Sequence, residues 1–253
     1  MLPVAITAPN GTRFSSVVAG AVHTCGLTAD GAAYCWGSNG SGQLGDGTVT
    51  NRPVPTAVAG GLSFTVLAAG GGHTCGITTG GAAYCWGNNE TGQLGNGVTD
   101  QDPSRTPIAV STTGLPAFTS LTAGDSHTCA LAAGTGAYCW GYNYSGAVGN
   151  GAAHEIETTP VAVRSPDGAL VAVATSNYHT CGLTATGKAF CWGSNNFAQL
   201  GDGTKADRSV PTAVATGLTF TALAPGDDHT CGVATTGTAY CWGVNDHGMM
   251  SAC

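Results

Sequence analysis

Charge is scarce in this 253-residue chain, with 8% of residues being Asp, Glu, Lys or Arg. That excludes both the charged outer surface of a helical bundle and the high charge per residue of an unfolded chain. Bases are the scarcer sign, seven against fourteen acids, and they are scattered along the sequence. No basic stripe is present to neutralise nucleic-acid phosphates, so no nucleic-acid partner is expected. No apolar run approaches the roughly 18 to 20 residues that cross a bilayer, so no membrane insertion is expected. The opening Met1-Leu2-Pro3-Val4-Ala5-Ile6 lacks the charged and long apolar regions of a secretory signal. No Ser-His-Asp set, no pair of carboxylates at a recognisable catalytic spacing and no phosphate-binding loop occurs. Neither an enzyme nor a bound cofactor is therefore expected.

What the chain has in quantity is glycine, 41 residues, and cysteine, 11 residues. Glycine-rich turns between short apolar runs suit strands, and a chain of this length can bury about three quarters of its unfolded surface. His-Thr-Cys recurs at His23, His73, His127, His179 and His229 (with Ala130 replacing the glycine that follows elsewhere), about 50 residues apart. Cys-Trp-Gly keeps step at Cys35, Cys85, Cys139, Cys191 and Cys241. Around these anchors lie four short strand-like runs per repeat, here named A to D, the pattern of a propeller blade. The expectation is an all-β fold, a β-propeller of four-stranded antiparallel blades in a single domain over residues 1–253.

The spacing of the cysteines fixes a register. With Thr28 opposite Ala32, a three-residue turn of Ala29-Asp30-Gly31 puts Gly31 where positive φ is required. Counting outward, Cys25 falls opposite Cys35 at a non-hydrogen-bonded site, where Cα atoms approach to about 4.5 Å, within disulfide reach. The same count pairs Cys75 with Cys85, Cys129 with Cys139, Cys181 with Cys191, and Cys231 with Cys241. Repeat three has Thr135 where the others carry glycine, so its hairpin is expected to turn differently. The rival reading is zinc, because His23 and Cys25 share a strand face and Cys35 would join them. That set has no obvious fourth ligand and no C-x2-C knuckle occurs, so no metal is expected. Five disulfides imply an oxidising compartment, and Cys253 is left over.

The unit of Ala-Ala-Gly, His-Thr, Tyr-Cys-Trp-Gly-x-Asn and Gly-Gln-Leu-Gly-x-Gly resembles the repeat of the regulator of chromosome condensation family over nearly the whole chain. The resemblance implies a propeller, usually of seven blades, against five repeats here. Two arrangements accommodate that number. Pro3-Val4-Ala5-Ile6 matches the D runs, such as Pro55-Thr56-Ala57-Val58, and could close the ring on the fifth repeat. Alternatively, the five repeats are part of a seven-bladed ring. Light-sensing plant relatives are implied to carry extra Trp and Arg just before His-Thr. Here those positions read Ala21-Val22, Gly71-Gly72, Asp125-Ser126, Asn177-Tyr178 and Asp227-Asp228, so photoreception is not expected.

The five tryptophans recur at one blade position, as packing between blades requires. The histidines are read as strand residues whose ring nitrogens satisfy nearby backbone groups. Sequons begin at Asn10, Asn39, Asn89 and Asn143, within turns that generate such triplets by chance. Variation collects on the A–B turns and C–D loops, which share one face. Tyr142, Tyr144, Tyr178 and Phe197, together with Asp125, Asn177, Asp227 and Asp228, are the candidate partner-binding set. Glu90, Asn196 and His247 lie on the same loops. The expected function is a secreted or cell-envelope scaffold that binds a protein through this face. The alternative is an inhibitor of an extracellular enzyme, as a resemblance to the propeller-type β-lactamase inhibitory protein suggests. Guanine-nucleotide exchange, which the family resemblance also implies, fits oxidised cysteines less well.

Overall fold

A computed structural model describes all residues except 1, 166, 247 and 249–253. Its regular structure is five antiparallel sheets and one short turn of 3-10 helix, Pro9–Gly11. The first sheet is β1 (Phe14–Ala19), β2 (His23–Thr28), β3 (Ala33–Gly37) and β4 (Arg52–Ala57). The second is β5 (Phe64–Ala69), β6 (His73–Thr78), β7 (Ala83–Asn89) and β8 (Asp100–Ala109). The third is β9 (Phe118–Ala123), β10 (His127–Ala132), β11 (Gly136–Asn143) and β12 (Glu155–Ala162). The fourth is β13 (Leu170–Thr175), β14 (His179–Thr184), β15 (Ala189–Gly193) and β16 (Arg208–Ala213). The fifth is β17 (Phe220–Pro225), β18 (His229–Ala234) and β19 (Ala239–Gly243). Each sheet is a meander in chain order, so every blade is built from local hairpins.

The hairpin arithmetic holds at each step. Cys25 pairs with Cys35, Gly26 with Tyr34 and Leu27 with Ala33. The turn closes through the Thr28 N–H, which donates to Ala32 C=O at 3.0 Å, and Gly31 has φ +88°. In the third blade the ladder runs one pair further, to Ala132 opposite Gly136, and the turn is made by Gly134 at φ +72°. All five expected disulfides are present, with Cα atoms 4.0–4.1 Å apart. In each pair the two sulfurs are bonded to each other. Cys253 lies outside the described residues.

Between sheets the core is made by aromatic and aliphatic side chains from facing blades. Leu27, Ala33 and Leu44 of the first blade pack with Phe64, Leu67 and Trp86 of the second. Leu183 and Ala189 of the fourth pack with Phe220 and Ala234 of the fifth. Closure of the ring by residues 3–6 is corrected by the structure. These residues form no strand, Val4 is 87% exposed, and the fifth sheet has three strands among the described residues. The reason is positional: the chain passes from this segment through Pro9–Gly11, which packs against β4, at the opposite end of the row of blades from β19.

The disulfides should be countable. Denatured, unreduced protein should present no more than one reactive thiol per chain, whereas reduction should release ten more. Replacing both Cys75 and Cys85 by Ser should lower unfolding free energy by at most about 3 kcal/mol in denaturant titration, the loop-entropy value for so short a closure.

Candidate functional site

The blades meet through a repeated polar relay buried in the apolar interface. His23 Nε2 lies 2.8 Å from Thr74 Oγ1, and Thr74 donates its hydroxyl proton to Gln43 C=O at 2.8 Å. Trp86 Nε1–H donates to the same carbonyl at 3.0 Å. The carbonyl accepts only, so the Thr74 proton is committed to it and the short contact requires His23 to carry its hydrogen on Nε2. The relay repeats as His73 to Thr128 with Gln93, His127 to Thr180 with Ala147, and His179 to Thr230 with Gln199. The expectation that these rings satisfy nearby backbone groups is thus corrected: their partner is the threonine of the next blade. Among the described residues Thr24 and His229 have no such partner, and Trp36 is half-buried against Phe14.

The same geometry leaves Nδ1 of His23, His73 and His127 buried without a hydrogen-bond partner among the described residues. In the fourth blade Ser176 replaces the corresponding glycine, and its Oγ meets His179 Nδ1 at 2.7 Å. Burial lowers the pKa to about 4 for His23 and His127 and about 3 for His73 and His179, with neighbouring histidines adding to the last two. These rings are neutral structural donors.

A second set of invariant polar residues shapes the C–D loops. Asn39 donates from Nδ2 to Asp46 Oδ1 and Thr50 C=O, and its Oδ1 accepts from Leu44 N–H at 3.0 Å. Asn195 repeats this arrangement with Asp202, Ala206 and Leu200, while Asn89 and Asn143 keep the first and last contacts and donate instead to Val98 C=O and Ala152 C=O. Three sequon asparagines are therefore buried loop organisers that cannot carry a glycan in the folded chain. Asp46 and Asp202 further pair with Arg52 and Arg208, each at 2.7 Å. Sequence reasoning missed these roles, although the recurrence of Asn after Cys-Trp-Gly was the available signal.

The A–B turns of all five blades surround a cleft of about 300 Å³. Asp125, Asn177 and Asp227 line it, together with Gly20, Gly70 and Gly124. Asp228, on the same turn as Asp227, does not line it, and its carbonyl accepts Val244 N–H at 2.9 Å. Beside the cleft, Tyr142 stacks on Tyr144 with ring centroids 5.0 Å apart, and Tyr178 meets Tyr142 edge-on at 6.4 Å. Tyr144 and Tyr178 are 46% exposed, while Tyr142 is half-buried. Burial and the neighbouring Tyr178 and Tyr144 raise the Tyr142 pKa, so its phenol is neutral in ordinary buffers. His154 closes the outer side against Tyr144 at 6.5 Å. Phe197 is 48% exposed in the next C–D loop and makes no ring contact with the tyrosines. Glu90 and Asn196 are exposed on their loops, and His247 lies outside the described residues.

A family model for the RCC1-like domain matches residues 1–252. The ultraviolet-B receptor UVR8 of Arabidopsis thaliana is 35% identical over 215 residues, covering 85% of this chain and 49% of the receptor. Prp20 of Saccharomyces cerevisiae superposes with a TM-score of 0.76 at 22% identity, over 91% of this chain and 57% of that one. The ectodomain of the receptor kinase CR4 of Physcomitrella patens gives 0.57 at 27% identity, over 91% and 53%. This chain therefore spans about half the length of the receptor and of each of these solved chains.

Two expectations follow from the relay. An unfolded histidine gains a proton near pH 6.5, whereas the folded ones resist it down to about 3 to 4. The unfolded chain thus binds more protons across that window, and stability is full above it and falls as pH drops through it. Thermal melts at pH 7.5 and 4.5 should show the loss, and equal melting temperatures would contradict neutral buried rings. Thr128→Val should cost about 1 to 3 kcal/mol in denaturant unfolding, since it strands His73 Nε2–H and frees one lone pair of Gln93 C=O.

Proposed function

The chain belongs to the RCC1-like domain family, and on that premise we propose that it is a protein-binding scaffold working in an oxidising compartment, outside the cell or in its envelope. Residues 1–253 act as one propeller domain, and the partner sits on the face formed by the A–B turns and C–D loops. The observation that carries this reading is the exposed tyrosine cluster beside the cleft. Tyrosine rings offer large contact area at low entropic cost, and the relay holds the turns that present them.

Protein binding is a use to which this fold is put elsewhere. Structures of Prp20 are described with Kap60 bound and alongside binding to Gsp1p and histones. The compartment reading is supported by five disulfides, which persist where glutathione does not reduce them, and by an ectodomain that shares the fold. No helix among the described residues is long and apolar enough to cross a membrane. A binding role and not turnover is supported by four of the five repeated histidines, which are held in hydrogen bonds between blades. Inhibition of an extracellular enzyme is a special case of the same face and calls for the same anchors.

Affinity capture from the native secretome, repeated with variants, tests the reading. Tyr144→Ala or Tyr178→Ala should weaken a stoichiometric partner by about 1 to 4 kcal/mol. Asp227→Ala should act mainly on association rate and salt dependence. Changes at Asp30 or Thr186, in the turns of the opposite face, should leave affinity alone. Sensitivity at Asp30 and Thr186 with indifference at the tyrosines would place the partner on the other face.

A further inference from the structure

Charge is distributed unevenly between the two faces. Of the fourteen acids, only Asp30 and Asp167 lie on B–C or D–A connections. The others sit on A–B turns, on C–D loops or on D strands leading away from those loops. Bases only partly offset them. Four of the seven lie on this side, with Arg52 and Arg208 committed to Asp46 and Asp202, Arg105 in β8 and Lys205 in a C–D loop, against twelve acids, whereas Arg13, Arg164 and Lys188 belong to the opposite connections. The face that carries the tyrosine cluster therefore bears the negative charge of the whole molecule.

The cluster stands within this field. Strand pairing sets Glu155 opposite Asn143, between Tyr142 and Tyr144 in sequence. On the inner side Asn177, next to Tyr178, shares the cleft with Asp125 and Asp227. The rings are arranged as a stacked pair with a third roughly perpendicular, at 63° to Tyr142, so they present more than one π-face direction. Among the described residues no lysine or arginine of the chain packs against them. An electron-rich aromatic group without its own cation, set in an acidic surface, attracts a cation by both the ring quadrupole and the net field.

We infer that the Tyr142, Tyr144 and Tyr178 cluster receives a cationic side chain, an arginine or lysine from a basic segment of the protein partner, while Asp125 and Asp227 in the adjoining cleft hold a second positive group of the same segment. This deepens the scaffold reading and rests on it. An apolar anchor would gain from the rings but would leave the surrounding carboxylates uncompensated. Guanidinium suits the place best, because its plane can stack on one ring while its edge donates to carboxylates. The raised pKa of Tyr142 favours the arrangement, since that ring acts through its face and not through phenolate charge.

The test uses the full oxidised chain and a fluorescent peptide alternating alanine and arginine, with an otherwise identical peptide carrying neutral citrulline. The arginine peptide should bind at least about tenfold more tightly than the citrulline one. Tyr144→Leu and Tyr178→Leu should weaken it roughly 5- to 30-fold, whereas Tyr144→Phe should stay within about twofold because the ring face is kept. Asp125→Asn combined with Asp227→Asn should weaken binding and flatten its salt dependence. Melting temperatures of the variants separate lost binding from lost folding. Equal binding of the two peptides, no binding of either, or indifference to both leucine substitutions overturns the cationic assignment. The scaffold reading fails on a different result, namely a native partner captured equally well by wild-type and by Tyr144→Ala and Tyr178→Ala.

Discussion

Four internal blade interfaces share one arrangement: a histidine Nε2–H, a threonine hydroxyl and a main-chain carbonyl in series. At three of these interfaces a tryptophan Nε1–H also reaches that carbonyl, at 3.0 Å or less. The fourth lacks this last contact, since Trp242 Nε1 is buried without a partner among the described residues. In an apolar interface such a chain is costly if half-made, because each orphaned polar atom forfeits its hydration. It is also directional. Histidine comes from one blade and threonine from the next, so blades can stack in only one sense and register. The relay thus supplies positional specificity to an interface that Leu, Phe and Trp packing alone would leave free to slide. That account explains why His-Thr stands together in all five repeats: the pair is one donor to the following blade and one acceptor from the preceding one.

Within a blade the constraint passes to the cysteines and glycines. The disulfide joins β2 to β3 and their counterparts three pairs outside the turn closure, pinning the middle hairpin whose two strands carry the relay threonine and tryptophan. The glycine after each tryptophan then takes φ between +103° and +109°, and an added Cβ at Gly37 would meet Val22 C=O at 2.8 Å. No other residue allows the A–B turn and the start of the C–D loop to approach so closely. A seat for loops results, narrow and fixed, onto which variable side chains are placed.

Much of this was legible in the sequence because it is local. Cys25 and Cys35 are ten residues apart, and a hairpin of that size has few registers, so the disulfides, the turn glycine and the irregular turn at Thr135 could all be derived by counting. The relay was hidden for the opposite reason. His23 and Thr74 are separated by a whole repeat, and nothing in a periodic pattern says whether a residue bonds within its own copy or to the next. Proximity of the tyrosines was readable from their place on adjacent blades, but Phe197 belongs to a loop one blade further round and its ring points elsewhere. The N-terminal segment shows the limit of matching by motif. Pro3-Val4-Ala5-Ile6 has the composition of a D strand, yet composition carries no information about which end of the row of blades it is tethered to.

The choice of binding face follows from what each set of turns already does. The B–C turn of the first blade is tied to the second, since Gly31 C=O accepts Phe64 N–H at 2.8 Å and an added Cβ at Gly31 would crowd Phe64 C=O. The fourth blade repeats the contact, Gly187 C=O accepting Phe220 N–H at 2.7 Å. These turns are part of the stacking of blades, so their sequences are held to small residues, and changing them disturbs the interface below. On the other face, the relay and the buried asparagines stabilise the loops from beneath, through groups that do not reach the surface. The A–B turns are themselves joined between blades, Gly71 N–H donating to Gly124 C=O at 3.2 Å, whereas the side chains of Glu90, Tyr144 and Phe197 at the C–D loop tips stand exposed. A surface on which side chains can vary without loss of fold is one on which tyrosines and carboxylates can accumulate for recognition, and in this molecule both accumulate there together.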